Sequence, residues 1–268
     1  MMRLRVAACS EVGARSGNED ALLQGSNALG HHAVLADGAG GHARGEVASA
    51  LAVQHVQRAL SHPVAAFTPE VLTNAVLGAH ATLQQGHSAA KGAEARMHTT
   101  LVVLWLDAAV QRALWTHVGD SRLYRLRHGR VEQLTVDDSV VQQMVLAGLL
   151  TEAQARQHPG KNHLVAALGM EGDVHPHTVA RPVDLLEGDA YLLCTDGWWD
   201  HFEPDQLAHG LARAGGPEDW LQDMRAQVLA NAQPQQDNFS AIAVWVGDPG
   251  QMTIAITEDT VPGRLRHR

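Results

Sequence analysis

Cysteine is nearly absent from this chain of 268 residues, which holds only Cys9 and Cys194. Each lies in a short apolar run, and two cysteines cannot build a disulfide framework, so a reducing cytosol is expected. No base is placed beside either thiol, and both are read as small core residues. Lysine is equally scarce: Lys91 and Lys161 are the only two among twenty basic residues, a bias read as base composition rather than chemistry. The formal charge of -9 argues against a partner that is nucleic acid or an anionic membrane. No apolar stretch approaches the ~20 residues of a spanning helix, and the apolar run within Met1–Cys9 is too short for a signal peptide. A cytoplasmic protein is expected. With 45% hydrophobic and 18% charged residues, no repeat and no linker, the chain reads as one domain.

What is present is a mixture of two periodicities. Arg5–Ser10, His32–Asp37, Thr99–Asp107, Ala113–Gly119, Arg122–Arg127, Val131–Leu134, Thr178–Val183, Ala190–Thr195 and Phe239–Val246 read as strands. Glu46–Leu60 carries apolar residues at helical spacing, Thr68-Pro69-Glu70 opens a second helix, and Pro204–Ala214 and Pro217–Ala230 read as two more. Residues 14–20 and 84–98 read as polar loops, and 137–169 as a mixed helical and loop segment. Clusters of antiparallel strands separated by helices exclude a purely alternating plan. They predict an α+β fold with sheets packed together and helices outside.

The stretch His32-Ala33-Val34-Leu35-Ala36-Asp37-Gly38-Ala39-Gly40-Gly41-His42-Ala43-Arg44-Gly45-Glu46 organises the chain. An apolar run delivers a carboxylate, and glycines then allow a tight turn and close backbone approach. Alone, Asp37-Gly38 is a turn. Other apolar runs, however, also border acids: Glu19 and Asp20, Asp120, Asp196 and Asp237. Carboxylates brought together from different strand ends repel one another unless cations neutralise them. Oxygen-only ligands select Mg²⁺ or Mn²⁺ over zinc, and two such ions ~4 Å apart serve displacement at phosphorus. Arg15, in the loop before Glu19, offers a guanidinium fork to phosphate oxygens.

Gly13-Ala14-Arg15-Ser16-Gly17-Asn18-Glu19-Asp20, Asp37-Gly38-Ala39-Gly40-Gly41-His42, Thr99-Thr100, Gly119-Asp120-Ser121-Arg122, Leu134-Thr135-Val136-Asp137-Asp138-Ser139, Leu193-Cys194-Thr195-Asp196-Gly197 and Asp237-Asn238 follow one another in a telling order. Together they resemble metal-dependent protein phosphatases of the protein phosphatase 2C type, bacterial branch, over roughly residues 5–247. The resemblance implies a four-layer α-β-β-α sandwich and a binuclear Mn²⁺/Mg²⁺ centre that hydrolyses phosphoserine and phosphothreonine. It implies a catalytic domain over 1–248 with a flap near 137–169; the loosely patterned residues 249–268 read as a tail or an extra edge strand. By matching position Asp37 would bridge both metals. Asp196 and Asp237 would complete one site, and the Gly38 carbonyl the other. Glu19 and Asp20 would sit in or just outside that shell, Asp120 with Asp196 would hold a weaker third ion, and Arg15 would clamp phosphate. Phosphoprotein substrates, a cognate serine/threonine kinase and a monomer are the expected partners and state.

The chemistry so implied is in-line attack by a water between two divalent ions, without a covalent enzyme intermediate. Ala39 stands where eukaryotic relatives place a histidine, so His42 or water is the candidate acid. Asp138 stands where many bacterial relatives have histidine. Three other readings compete. Gly38-x-Gly40-x-x-Ala43 mimics a dinucleotide fingerprint, but Asp37 would repel a pyrophosphate. Gly119-Asp120-Ser121 lacks the elbow of a serine esterase. A catalytically silent phosphoprotein-binding module on the same fold would have been free to lose these acids. His31-His32 and His175-x-His177 lack the ligand set of a structural zinc site and are read as surface or packing residues. Trp198-Trp199 could line the site or the core, and the area each buries favours core or partial burial.

Overall fold

The computed structural model describes residues 2–27, 30–39, 44–62, 65–88 and 97–249. In chain order the elements are β1 (Leu4–Glu11), β2 (Asp20–Asn27), β3 (Gly30–Ala39), α1 (Gly45–Leu60), α2 (Pro69–Ser88), β4 (His98–Thr99), β5 (Leu101–Asp107), β6 (Arg112–Val118), β7 (Arg122–Arg127), β8 (Arg130–Gln133), α3 (Val140–Leu146), α4 (Glu152–Arg156), β9 (Val183–Asp184), β10 (Ala190–Cys194), α5 (Asp196–Trp199), α6 (Pro204–Arg213), α7 (Pro217–Ala230) and β11 (Phe239–Val246). One sheet runs β1-β11-β10-β7-β8. The other runs β2-β3-β5-β6-β9, with β4 paired to β3. Every strand pairing within the two sheets is antiparallel.

The alternation of side chains along each central strand builds the layers. Ala33 and Leu35 of β3 join Val102, Leu104, Tyr191, Leu193, Ile242 and Val244 in the core between the sheets. Val34 and Ala36 face the other way, toward α1 and α2, with Val103 and Trp105. In the same way Phe239, Ala241, Ala243 and Trp245 of β11 pack with Trp198 and with Trp220 of α7. Strands apolar on both faces are what a sheet covered on both sides requires. The result is α1/α2, sheet, sheet, α5–α7: the four-layer α-β-β-α sandwich.

Several boundaries differ from the sequence reading. The polar segment 20–27 is strand β2, whose half-buried residues carry no clean alternation, yet all eight pair with β3. Helix α2 runs on to Ser88, where a loop was expected from 84. Strand pairing near 178–183 is confined to β9, and α5 forms directly at the Asp196-Gly197 turn. Cys194 is buried, whereas Cys9 is only half-buried. The paired tryptophans are both core. No described helix is long and apolar enough to cross a membrane. The tail from 250 onward and residues 40–43, His42 among them, lie outside the described residues.

Candidate active site

Strand register brings distant acids to one end of the sandwich. Asp20, at the start of β2, is the direct pairing partner of Asp37, near the end of β3. In the other sheet Cys194 pairs Ala241, so the end of β10 and the start of β11 lie side by side and set Asp196 near Asp237. The turn after β6 places Gly119-Asp120 beside Thr100, because Val118 pairs Leu101. A cavity of about 360 Å³ opens there. Asp37, Asp120, Asp196, Asp237, Glu19, Gly38, Arg15 and Thr100 line it, together with Asn162 and Leu164 from the 137–169 segment. Asp20 is buried just beneath, its Oδ2 accepting from the Thr195 hydroxyl at 3.1 Å.

Both Asp-Gly pairs owe their glycine to crowding. A Cβ on Gly38 would lie 2.4 Å from the Gly45 carbonyl carbon, and one on Gly197 would lie 2.1 Å from the Asn238 carbonyl oxygen. Gly119 has φ of +97°, a conformation that disfavours other residues. Around these corners the main chain is held by side chains. The Thr100 hydroxyl accepts from the Asp37 amide at 2.9 Å, and the Thr99 hydroxyl donates to the Asp37 carbonyl at 2.8 Å. Asn238 gathers the loop before β2, donating to the carbonyls of Val12 (2.7 Å) and Gly17 (2.9 Å) and accepting from the Glu19 amide (2.8 Å). That network explains why an asparagine follows Asp237.

The electrostatics of this end are unfavourable to bare protein. Burial, then the charges of Asp20 and Asp196, push the Asp37 carboxyl well above its ordinary range. Asp120 is raised likewise, by burial and then by Asp196 and Asp137. Burial with the charge of Asp237 carries Asp196 up to about 6. Burial lifts Asp20 to about 7 against the opposing hydrogen bonds of Ser240 and Thr195. Asp20 Oδ1 is buried with no hydrogen-bond partner. Clustered acids that resist ionisation, one with an orphaned oxygen, fit a site completed by hard divalent cations. Arg15 donates to Asp237 Oδ2 at 2.7 Å and remains half exposed at the mouth.

Four contributors do not stand out in the sequence as site residues. Thr100 was noted only as part of a motif. Asn162 and Leu164 carried no signal, since a cavity wall made by a distant segment leaves no local pattern. Trp199 supports the site from behind: its indole N–H donates to the Asp120 carbonyl at 3.0 Å, and the Arg122 guanidinium lies 3.5 Å over its ring. Arg122 in turn forms a buried ion pair with Asp137, with an Nη2–Oδ2 distance of 2.7 Å.

Two antiparallel sheets packed face to face between helices, with acids gathered over one end, define the architectural class of this chain. Within that class the chain belongs to the protein phosphatase 2C family, whose model matches residues 10–236. The serine/threonine protein phosphatase PstP of Mycobacterium tuberculosis is 34% identical over 278 residues, covering 95% of this chain and 50% of that protein. This chain therefore spans about half the length of that curated relative. The crystal structure of the M. tuberculosis serine/threonine phosphatase PstP/Ppp superposes with a TM-score of 0.80 at 29% identity, covering 92% of this chain and all of that one. The catalytic domain of PstP in complex with two manganese ions superposes with a TM-score of 0.78 at 28% identity over 92% of this chain and all of that one. PppA, described as a key regulatory component of the T6SS in Pseudomonas aeruginosa, is 30% identical with a TM-score of 0.74, covering 91% of this chain and 97% of that one.

Proposed function

We propose that this chain is a metal-dependent protein phosphatase that hydrolyses phosphoserine and phosphothreonine in proteins. The observation that carries the reading is the meeting of Asp37, Asp120, Asp196 and Asp237, from four separate places in the chain, around one cavity with Arg15 at its mouth. Asp37 would bridge two Mn²⁺ or Mg²⁺ ions, Asp196 and Asp237 would complete one site, and the Gly38 carbonyl the other. Glu19 and Asp20 would support that shell, and Asp120 with Asp196 would hold a weaker third ion. Ions held there would neutralise these acids and would supply an activated water as the nucleophile toward phosphorus.

The chain's own residues do the rest. Arg15 orients the phosphoryl group with a charge-assisted fork and balances the charge that builds on its oxygens. Asn238 and the Thr99–Thr100 pair keep the Arg15 loop and the Asp37 corner in fixed register, so that little reorganisation accompanies the reaction. Asn162 and Leu164 bound the side of the cavity from the 137–169 flap, where a phosphopeptide would lie. His42 is the protein residue proposed to protonate the leaving alkoxide. The catalytic domain spans 1–248, and its partners are phosphoproteins and a cognate serine/threonine kinase. Homologues named as serine/threonine phosphatases and a relative that holds manganese support this reading.

Turnover of a phosphothreonine peptide and of p-nitrophenyl phosphate, measured with Mn²⁺, Mg²⁺ or EDTA, tests it. Activity should require the metal and vanish in Asp37→Asn. Undiminished turnover in EDTA, or by Asp37→Asn, would overturn the assignment.

A further inference from the structure

A second group of ligand-bearing side chains lies behind the acidic cavity and shares none of its residues. His117 is near the end of β6, Asp138 opens the flap segment, and His177 sits in the segment leading to β9. Each offers one ligand atom, and the three atoms lie within 4.8 Å of one another. The backbone holds the group in place. The His177 amide donates to the His117 carbonyl at 3.0 Å, and the Asp138 amide donates to the Gly119 carbonyl at 3.0 Å. Asp138 Oδ2 accepts from the Gly119 amide at 2.9 Å, while its Oδ1 lies 2.9 Å from His177 Nε2. The two imidazole rings stack with centroids 4.8 Å apart.

A histidine-carboxylate hydrogen bond beside a second ring accounts for part of this arrangement. It leaves one atom unexplained. His117 is only 3% exposed, and its Nδ1 is buried with no hydrogen-bond partner. Its other nitrogen, Nε2, lies 2.8 Å from the Val136 carbonyl and 3.3 Å from the Val136 amide. The Val136 N–H would donate to an unprotonated Nε2, but its contact is the longer and weaker of the two; assigned by the 2.8 Å contact, Nε2 carries the proton and donates to the Val136 carbonyl, leaving Nδ1 with a bare lone pair. Metal-bound histidines commonly donate their other ring N–H to a backbone carbonyl, which fixes the tautomer that binds. Burial lowers the His117 pKa below its ordinary value, so the ring is neutral at pH 7.

From this geometry we infer that His117, Asp138 and His177 form a second metal site, selective for a borderline transition ion of the Zn²⁺ class. Two imidazoles and one carboxylate match zinc or cobalt, whereas the all-oxygen cavity matches Mg²⁺ or Mn²⁺. Ligands of a tetrahedral zinc ion stand about 3.4 Å apart, given bonds of about 2.0–2.1 Å. Two stacked rings cannot both direct an in-plane lone pair at one ion, so on binding the half-exposed His177 ring would turn out of the stack toward His117 Nδ1 and Asp138. An ion there would clamp β6, the start of the flap and the segment before β9 together, with His117 three residues before Asp120.

Co²⁺ is the probe, in the full chain carrying Asp37→Asn to disable the acidic cavity. A Co²⁺ ion on histidine gives hyperfine-shifted, exchangeable imidazole N–H protons in NMR spectra, which carboxylate ligands cannot give. One equivalent should produce such a resonance, with the His117 N–H sheltered by Val136. Adding His177→Ala or Asp138→Asn should abolish it and weaken Co²⁺ binding by about 100-fold or more, since even outer partners of a metal ligand change affinity 10–100-fold. His177→Ala removes a half-exposed ring and Asp138→Asn keeps the side-chain shape, so thermal melts should show both variants folded. Absence of a shifted imidazole N–H in the parent would overturn the site. So would unchanged spectra and affinity in the two variants.

Discussion

Replacing Asp196 by asparagine should make the metal-free protein more stable while removing its response to metal. In the fold the Asp196 carboxyl is held at about 6 rather than its ordinary 3.8, by burial first and by Asp237 next. A raised acid contributes stability in full below its unfolded pKa and loses that contribution as pH rises through the folded value. At pH 8 both folded and unfolded states are ionised, and the folded state carries an unfavourable ionisation of about 3 kcal/mol. Asp196 is only half-buried on the cavity wall, so screening by water reduces this to about 2 kcal/mol. Asp196→Asn removes the charge. In EDTA at pH 8 its melting temperature should therefore exceed that of the wild type by roughly 4–8 °C, at about 2–4 °C per kcal/mol for a large domain. The gap should shrink as pH falls through 6 and disappear near 4. With saturating Mn²⁺ the order should reverse, because the wild type gains binding energy that the variant lacks. An EDTA gap that is zero at pH 8, or that does not change with pH, would refute the electrostatic reasoning.

Arg15→Ala should raise KM for a phosphopeptide by about 10- to 100-fold, the loss of one charge-assisted interaction, while metal binding persists; parallel kinetics and Mn²⁺ titration check this. Gly38→Ala forces a Cβ to within 2.4 Å of the Gly45 backbone, which no rotamer relieves. It should cost about 3 kcal/mol, read as a lowered denaturation midpoint, and it should distort the Asp37 corner enough to reduce turnover. Asp137→Ala strands the Arg122 guanidinium in a buried position beneath Trp199 and should destabilise by about 3–5 kcal/mol in chemical denaturation.

The parts of the molecule legible in the sequence are those where one residue type answers one physical demand. The apolar runs of β3, β5, β10 and β11 read as strands, and the acids that border β3, β10 and β11 are found at one end of the sandwich. Strand β2 was not legible, because its Ala-Leu-Leu-Gln-Gly-Ser run sets two leucines side by side with no alternation of apolar and polar residues, and only pairing with β3 defines it. Nor could sequence spacing show that Asn162 and Leu164 reach back across the cavity. His117, Asp138 and His177 stand far apart in the chain, and only the β6 turn and the His177 amide contact with His117 unite them. In the sequence His175-x-His177 lacks the ligand set of a structural zinc site and reads as a surface or packing pair.

The most direct test of the central claim is anomalous diffraction at the manganese edge from crystals of this chain soaked in Mn²⁺. The account predicts two strong peaks in the cavity, both within about 2.0–2.3 Å of Asp37 carboxylate oxygens, with Asp196 and Asp237 on one of them. A cavity free of anomalous density at saturating Mn²⁺, or peaks that avoid Asp37, would contradict it.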